Sequence, residues 1–150
     1  MAIDNQPMLV PHLVVDDAAA ALDFYARAFD ANEIARIPGP GGKLIHAALQ
    51  INGFTLFLND DFPEFCDGKS STPSALGGTS VTIHLHGPDV EARFQRALDA
   101  GASVVKPLED QFWGDRYGVV RDPFGHQWAL AETVREVDYA DIAASMGGEG

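Results

Sequence analysis

Two of the five histidines in this chain stand two residues apart in the stretch TIHLHGPD, residues 82–89. A strand places alternate side chains on one face, so His84 and His86 are expected to point the same way. Imidazole ligates first-row metals, transfers protons near neutral pH, and otherwise hydrogen-bonds neighbours or water at the wall of a polar cavity. All three roles are open to this pair. A similar stretch lies upstream in MLVPHLVVDD, where His12 stands in an apolar run. His46 opens HAALQI, sharing its parity with Ala48 and Gln50, and His126 follows the turn sequence DPFG.

A second group of residues combines aromatic surface with charge. In FWGDRYG, residues 112–118, Phe112, Trp113 and Tyr117 offer stacking surface and Arg116 offers an anion-binding guanidinium. The bland alternative pairs Arg116 with Asp115, Asp122 or Glu109 and buries Trp113 between modules. In the first half of the chain Phe57 and Phe62 suggest an apolar cavity wall, and Phe54 reads as plain core. Cys66 is the single cysteine, which excludes an internal disulfide, and its acidic neighbours Asp61, Glu64 and Asp67 disfavour a thiolate.

The elements that must position these residues follow from periodicity. After the strand at MLVPHLVV, Asp16 or Asp17 caps a helix whose apolar stripe is Leu22, Phe24, Tyr25, Ala28 and Phe29. NEIARIP, KLIHAALQI and FTLFLN read as strands, the last two joined by a tight Asn52-Gly53 turn. The order β-α-β-β-β then recurs. TSVTIHLH is a strand, Pro88 and Asp89 open the helix VEARFQRALDAG, and ASVVKP, DRYGVVRD and HQWALAE are strands. The halves register at a constant offset of 72 residues: His12 falls on His84, Asp17 on Asp89, Gly53 on Gly125 and Leu58 on Leu130. A duplicated module is the simplest reading. Its parts are a first βαβββ module over residues 8–62, an inter-module linker over 63–78, a second module over 79–133 and a C-terminal tail over 134–150, in which VDYADIAASM reads as a short docking helix.

Composition narrows the partners. Hydrophobic content of 46% supports a packed core, and a formal net charge of −12 argues against nucleic acid or an anionic membrane surface. No apolar run approaches a membrane span, and no basic segment leads into an apolar one at the N-terminus, so the expected address is the cytoplasm.

Over residues 8–133 the chain resembles the vicinal oxygen chelate superfamily, which includes glyoxalases, extradiol dioxygenases and bleomycin-binding proteins. The stretch VVDDAAAALDFYARAFDA and the stretch DQFWGDRYGVVRDPFGHQWAL carry the resemblance, and the second is similar to the PhnB-like branch. The resemblance implies an α+β fold in which the two βαβββ modules form a curled mixed sheet around a cavity. It also implies metal ligands on the first and fourth strands of each module. Counted from the helix cap and from DPFG, and transferred by the internal offset, those positions hold Val10, Phe57, Thr82 and Ala129. Carbon-only side chains and a neutral threonine are poor ligands for divalent metals, so neither metal nor cofactor is expected. His12 and His84 lie two residues beyond the first-strand positions, on the same face.

Two classes of function follow. One is a metal-independent binder of a small organic molecule in an apolar cavity, contacted by His12, Phe57, His84, His86, Trp113 and Arg116. The other is a lyase or isomerase acting on a small oxygenated substrate, with His12 and His84 in acid–base or displaced metal-binding roles. Either is expected as a homodimer, because members of the superfamily build cavities at module interfaces within or between chains.

Overall fold

The computed structural model describes residues 5–147. Strand β1 (His12–Val15) leads into helix α1 (Ala18–Phe29), then strands β2 (Asn32–Pro38), β3 (Leu44–Ile51) and β4 (Phe54–Asp60). The linker holds a 3-10 turn and the single helical turn α2 (Pro73–Leu76). The second module runs β5 (Thr82–His86), α3 (Val90–Ala100), β6 (Ser103–Asp110), β7 (Asp115–Arg121) and β8 (Gln127–Thr133), followed by α4 (Tyr139–Gly147). Each module forms a four-stranded mixed sheet, ordered β1-β4-β3-β2 and β5-β8-β7-β6. In each, the first strand lies parallel to the fourth and the others pair antiparallel. No helix among the described residues is long and apolar enough to cross a membrane.

The ladders carry the internal repeat residue for residue. His12 pairs with Phe57 as His84 pairs with Ala129, and Leu13 with Leu58 as Leu85 with Leu130. The helix starts are also related. Asp60, at the end of β4, accepts the Ala18 amide at 2.8 Å, and Glu132, near the end of β8, accepts the Val90 amide at 3.1 Å. Each carboxylate thereby satisfies an N–H that the first turn of a helix leaves unpaired. Asp17 caps α1 as expected, accepting from the Ala20 amide. Asp89 does not cap α3: its backbone is left-handed, at φ 60°, its side chain makes no capping bond, and Glu132 takes the role. Asn52 and Gly53, at φ 53° and 84°, make the turn between β3 and β4, the backbone combination that joins twisted strands in two residues.

The modules share one core. Tyr25, Phe24 and Phe29 of α1 reach the second sheet, with the Phe29 and Trp128 rings 4.4 Å apart and Tyr25 5.2 Å from Trp128. Arg96 of α3 donates to the Arg27 carbonyl of α1 at 2.7 Å. At the centre Asp122 is 3% exposed and accepts four hydrogen bonds. Tyr25 Oη donates at 2.5 Å and Trp128 Nε1 at 2.9 Å, while the Phe124 and His126 amides reach the other oxygen. Burial, and then the nearby Asp122 charge, push the Tyr25 hydroxyl well above its ordinary titration range, so it remains a donor. His126 Nε2 donates to the Val14 carbonyl at 2.9 Å, tying the DPFG turn to β1. Gly125 in that turn has φ 91°, and a Cβ there would meet Pro73 at 2.7 Å.

Tyr25→Phe is expected to lower the unfolding free energy by about 1–2 kcal/mol, the cost of one lost donor to a buried acceptor. Asp122→Ala strands a hydroxyl, an indole N–H and two amides, and is expected to cost about 3–5 kcal/mol. Urea unfolding of both variants measures the difference, and a milder effect for Asp122→Ala would contradict this role for the carboxylate.

Candidate functional site

Opposite the helices, each sheet presents an open concave face. In the first sheet the residues there are His12, Phe57, His46 and Asn59. His12 and Phe57 are partners in the parallel ladder, and Ala48, two residues from His46, is the antiparallel partner of Phe57. The His46 ring lies 4.7 Å from Phe57 and 6.1 Å from His12, with His12 6.0 Å from Phe57. His12 Nε2 meets Asn59 Oδ1 at 2.5 Å, and Asn59 Nδ2 donates to the Asp60 carbonyl. An acceptor oxygen opposite Nε2 makes that nitrogen the protonated one.

The second cup is built from β5, β7 and β8. His84 and His86 share a face with Ala129 and Ala131, their ladder partners, and with Val119 and Tyr117 beyond them. His84 lies 5.6 Å from His86 and 6.2 Å from Tyr117, and Tyr117 lies 5.8 Å from Trp113, so four rings form a continuous wall. Behind the rings runs a polar chain. Trp113 Nε1 and Thr133 Oγ1 donate to the two oxygens of Asp115 at 3.1 and 2.9 Å. Thr133 Oγ1 meets His86 Nε2 at 2.9 Å, and His86 Nδ1 meets His84 Nε2 at 3.4 Å. Between this edge of the cup and residues 135–142 lies a groove of about 620 Å³, lined by His86, Trp113, Asp115, Thr133 and the Arg135–Asp138 segment. A second, more apolar cleft of about 290 Å³ has Leu9, Ile51, Phe54, Ile83, His84 and Trp128 among its walls, so His84 borders this cleft and His86 the groove.

The structure thus brings His84, His86 and Trp113 together, and groups His12 with Phe57 in the other cup. Arg116 joins neither. It lies on the opposite side of β7 from Tyr117, bound to Asp110 at 2.7 Å and to Glu91 at the start of α3 at 2.7 Å. The partners are not Asp115, Asp122 or Glu109, because strand alternation turns the guanidinium toward the helix. Its hydrogen bond holds the Asp110 carboxyl below the usual carboxylate range. Both cups mix polar groups with aromatic rings, imidazoles, Asn59, Thr133 and Asp115 among them, while the mainly apolar lining belongs to the cleft that His84 borders. Phe54, expected in the core, is 79% exposed, because it lies at the start of β4 beyond the helix-covered stretch.

The sequence assigns His46 no face and gives Asp115 and Thr133 no place in a site. Once His84 defines the inward parity of β5, ladder pairing sends residues 129, 131 and 133 inward on β8 and 115 and 117 on β7. His46 required knowing that Phe57 faces inward.

The positions implied to carry metal ligands can be tested on the ladders. Level with Phe57 and Ala129 on the neighbouring strands stand His12 and His84, while Val10 precedes β1 and Thr82 begins β5 opposite Gln127. Each cup therefore offers an imidazole beside a side chain of carbon alone. Among the described residues no three His, Cys, Asp or Glu side chains group closely enough to hold a metal ion. These donors do not fit a chelated divalent ion within one chain.

Residues 7–130 match the sequence profile of the Glyoxalase/Bleomycin resistance protein/Dioxygenase superfamily. An uncharacterized protein of Mycobacterium bovis is 67% identical over 150 residues, covering 100% of this chain and 99% of the relative. The crystal structure of TioX from Micromonospora sp. ML1 superposes with a TM-score of 0.65 at 31% identity, covering 85% of this chain and 99% of TioX. A PhnB protein from Bacillus cereus, described as a putative 3-demethylubiquinone-9 3-methyltransferase, shares the fold at a TM-score of 0.60 and 19% identity, covering 84% of this chain and 99% of that one. With its duplicated βαβββ module and its profile match, this chain belongs to the glyoxalase/bleomycin resistance/dioxygenase superfamily.

Proposed function

We propose that this protein, a member of the PhnB-like branch, binds a planar organic molecule against its second cup, without a chelated metal and as a homodimer. The observation that carries the reading is the wall of four rings, His86, His84, Tyr117 and Trp113, with successive centroids 5.6, 6.2 and 5.8 Å apart. Aromatic side chains lining an open concave face offer stacking surface to a flat ligand. The adjoining groove, at about 620 Å³, falls within the size range of small-molecule sites. Asp115, Glu136 and Asp138 outnumber Arg135 along it, which favours a cationic ligand. The motif running from Trp113 through DPFGH supports the branch assignment.

Closure by a second copy is supported by surface. Ile34, Ile37 and Ile45 on β2 and β3 are each about half exposed, and β2 is exposed along its whole length. An unpaired apolar edge strand of this kind invites a partner.

A second reading, a lyase or isomerase acting on a small oxygenated substrate, is favoured by the hydrogen-bonded chain that ends on His84. Turnover of 2-oxoaldehyde thiol adducts would support it over simple binding.

Sedimentation velocity at micromolar concentration is expected to give about twice the 16.1 kDa chain mass; a monomer throughout would contradict the dimer. Titration with planar aromatic cations, followed by tryptophan fluorescence, is expected to show saturable binding that survives dialysis against a chelator. Trp113→Ala is expected to weaken that binding about fivefold or more, by loss of one stacking contact, while shifting the thermal midpoint little. Parallel loss of affinity and thermal midpoint would make Trp113 a core residue instead.

A further inference from the structure

Thr133 carries one proton and stands between two groups that compete for it. Asp115 Oδ1 lies 2.9 Å from its hydroxyl oxygen and His86 Nε2 lies 2.9 Å away on the other side. An ionised carboxylate can only accept, so the hydroxyl proton is committed to Asp115. The other carboxylate oxygen takes the Trp113 indole N–H, which adds a second donor and no second acceptor. Thr133 Oγ1 is thereby left as an acceptor, and His86 must present Nε2–H to it. In the neutral ring that leaves His86 Nδ1 with a lone pair, which accepts from His84 Nε2–H at 3.4 Å, the longest link of the chain. The two imidazole planes are 17° apart and the centroids 5.6 Å apart, so the facing nitrogens lie near the line joining the rings. In-plane lone pairs and N–H bonds meet in that arrangement, which face-to-face stacking would prevent. The sequence of commitments ends at His84 Nδ1, which is left bare and takes no hydrogen bond from any described residue. His84 itself is exposed beside Tyr117 on the open cup.

We infer that Asp115 and Thr133 are positioning residues that lock His86 and His84 into one tautomer, making His84 Nδ1 a hydrogen-bond acceptor that selects aromatic ligands bearing an O–H or N–H donor. The inference rests on the reading of this cup as the ligand site and names the class of ligand it takes. Four features point the same way: a carboxylate at one end, a hydroxyl with a single proton, two coplanar imidazoles, and an open ring face at the other end. A purely structural hydrogen-bond cluster has no need to terminate in an unpartnered lone pair on an exposed imidazole beside a half-buried tyrosine ring. The order of groups also matches how enzymes and binding sites assign imidazole tautomers, with the far nitrogen set by the bond the near one makes.

Two measurements on the full chain test this. The first uses 2-naphthol and 2-methoxynaphthalene, flat probes of the same ring system that differ in one donor proton. Wild type is expected to prefer 2-naphthol about fivefold, the worth of one hydrogen bond. Thr133→Val is expected to erase the preference, bringing the two probes to equal affinity, and Thr133→Ser to restore it. Equal affinity of wild type for both probes, or a preference that survives Thr133→Val, would overturn the inference. The second measurement reads the ligand-free protein: the ring nitrogen shifts of His86, at a pH where imidazoles are neutral, are expected to show Nε2–H alone in wild type and in Thr133→Ser, and a tautomer mixture in Thr133→Val. Identical nitrogen shifts in all three would overturn it as well. Failure of both probes to bind any variant would instead refute the cup as ligand site, and the ligand-selecting role of His84 with it; the nitrogen shifts would still decide the tautomer lock.

Discussion

The buried carboxylate of Asp122 holds the two modules in their mutual position, and the second cup exists because of it. Burying a charge is costly unless its hydrogen-bonding capacity is filled. Here one oxygen takes two amides of its own turn and the other takes the Tyr25 hydroxyl from α1 and the Trp128 indole from β8. The first pair shapes the turn between β7 and β8. The second pair clamps the first module's helix against the core face of the second sheet, with the Phe29 and Tyr25 rings packed at a tilt against Trp128. Strand alternation does the rest. With Trp128 and Leu130 turned toward the helices, Ala129, Ala131 and Thr133 must face the other way, and Thr133 arrives within reach of His86 and Asp115.

Duplication supplied the frame twice and the cups diverged within it. Asp60 and Glu132 perform the same service at the start of α1 and α3, an anion placed against unpaired amides at a helix N-terminus. The inward rows do not match in this way. His46 in the first cup holds the place of Tyr117 in the second, since each lies two residues before the antiparallel partner of Phe57 or Ala129. Phe57 stands in the first cup at the place that Ala129 takes in the second. Ala129 and Ala131 are each 1% exposed, because the rings of His84, His86 and Tyr117 lie over them. One frame therefore carries a large ring on the first sheet where the second has a small residue beneath a layer of rings.

The repeat was legible in the sequence because it depends on local signals: the paired His-Leu dipeptides, the helix stripes and the turn glycines at one offset. Every strand of both modules follows from those signals. What pointed into the cups was legible only where a strand had an anchor of known parity. His84 and His86 supplied one for β5. Nothing comparable marked β3, so His46 had no assigned face until the ladder placed it opposite the inward side of β4. Arg116 illustrates the opposite failure, since its chemistry suggested an anion site while its parity with Asp110 and Glu91 was invisible without the β6–β7 pairing and the packing of α3. The Asp115–Thr133 pair was hidden for the same reason, as its members lie 18 residues apart on strands whose register only the fold defines.

The central claim is that the ring wall of the second cup takes a flat organic molecule and needs no chelated metal to do so. A crystal structure of the protein grown with a bound aromatic donor such as 2-naphthol tests it most directly. The account predicts the ligand ring against Tyr117 and Trp113, its hydroxyl within hydrogen-bond distance of His84 Nδ1, and the first cup of a second copy closing over it. Ligand seated in the cleft between Leu9, Ile51 and Phe54 without touching Tyr117 or Trp113, or metal density within about 2.0–2.2 Å of His12 and His84 nitrogens, would contradict it.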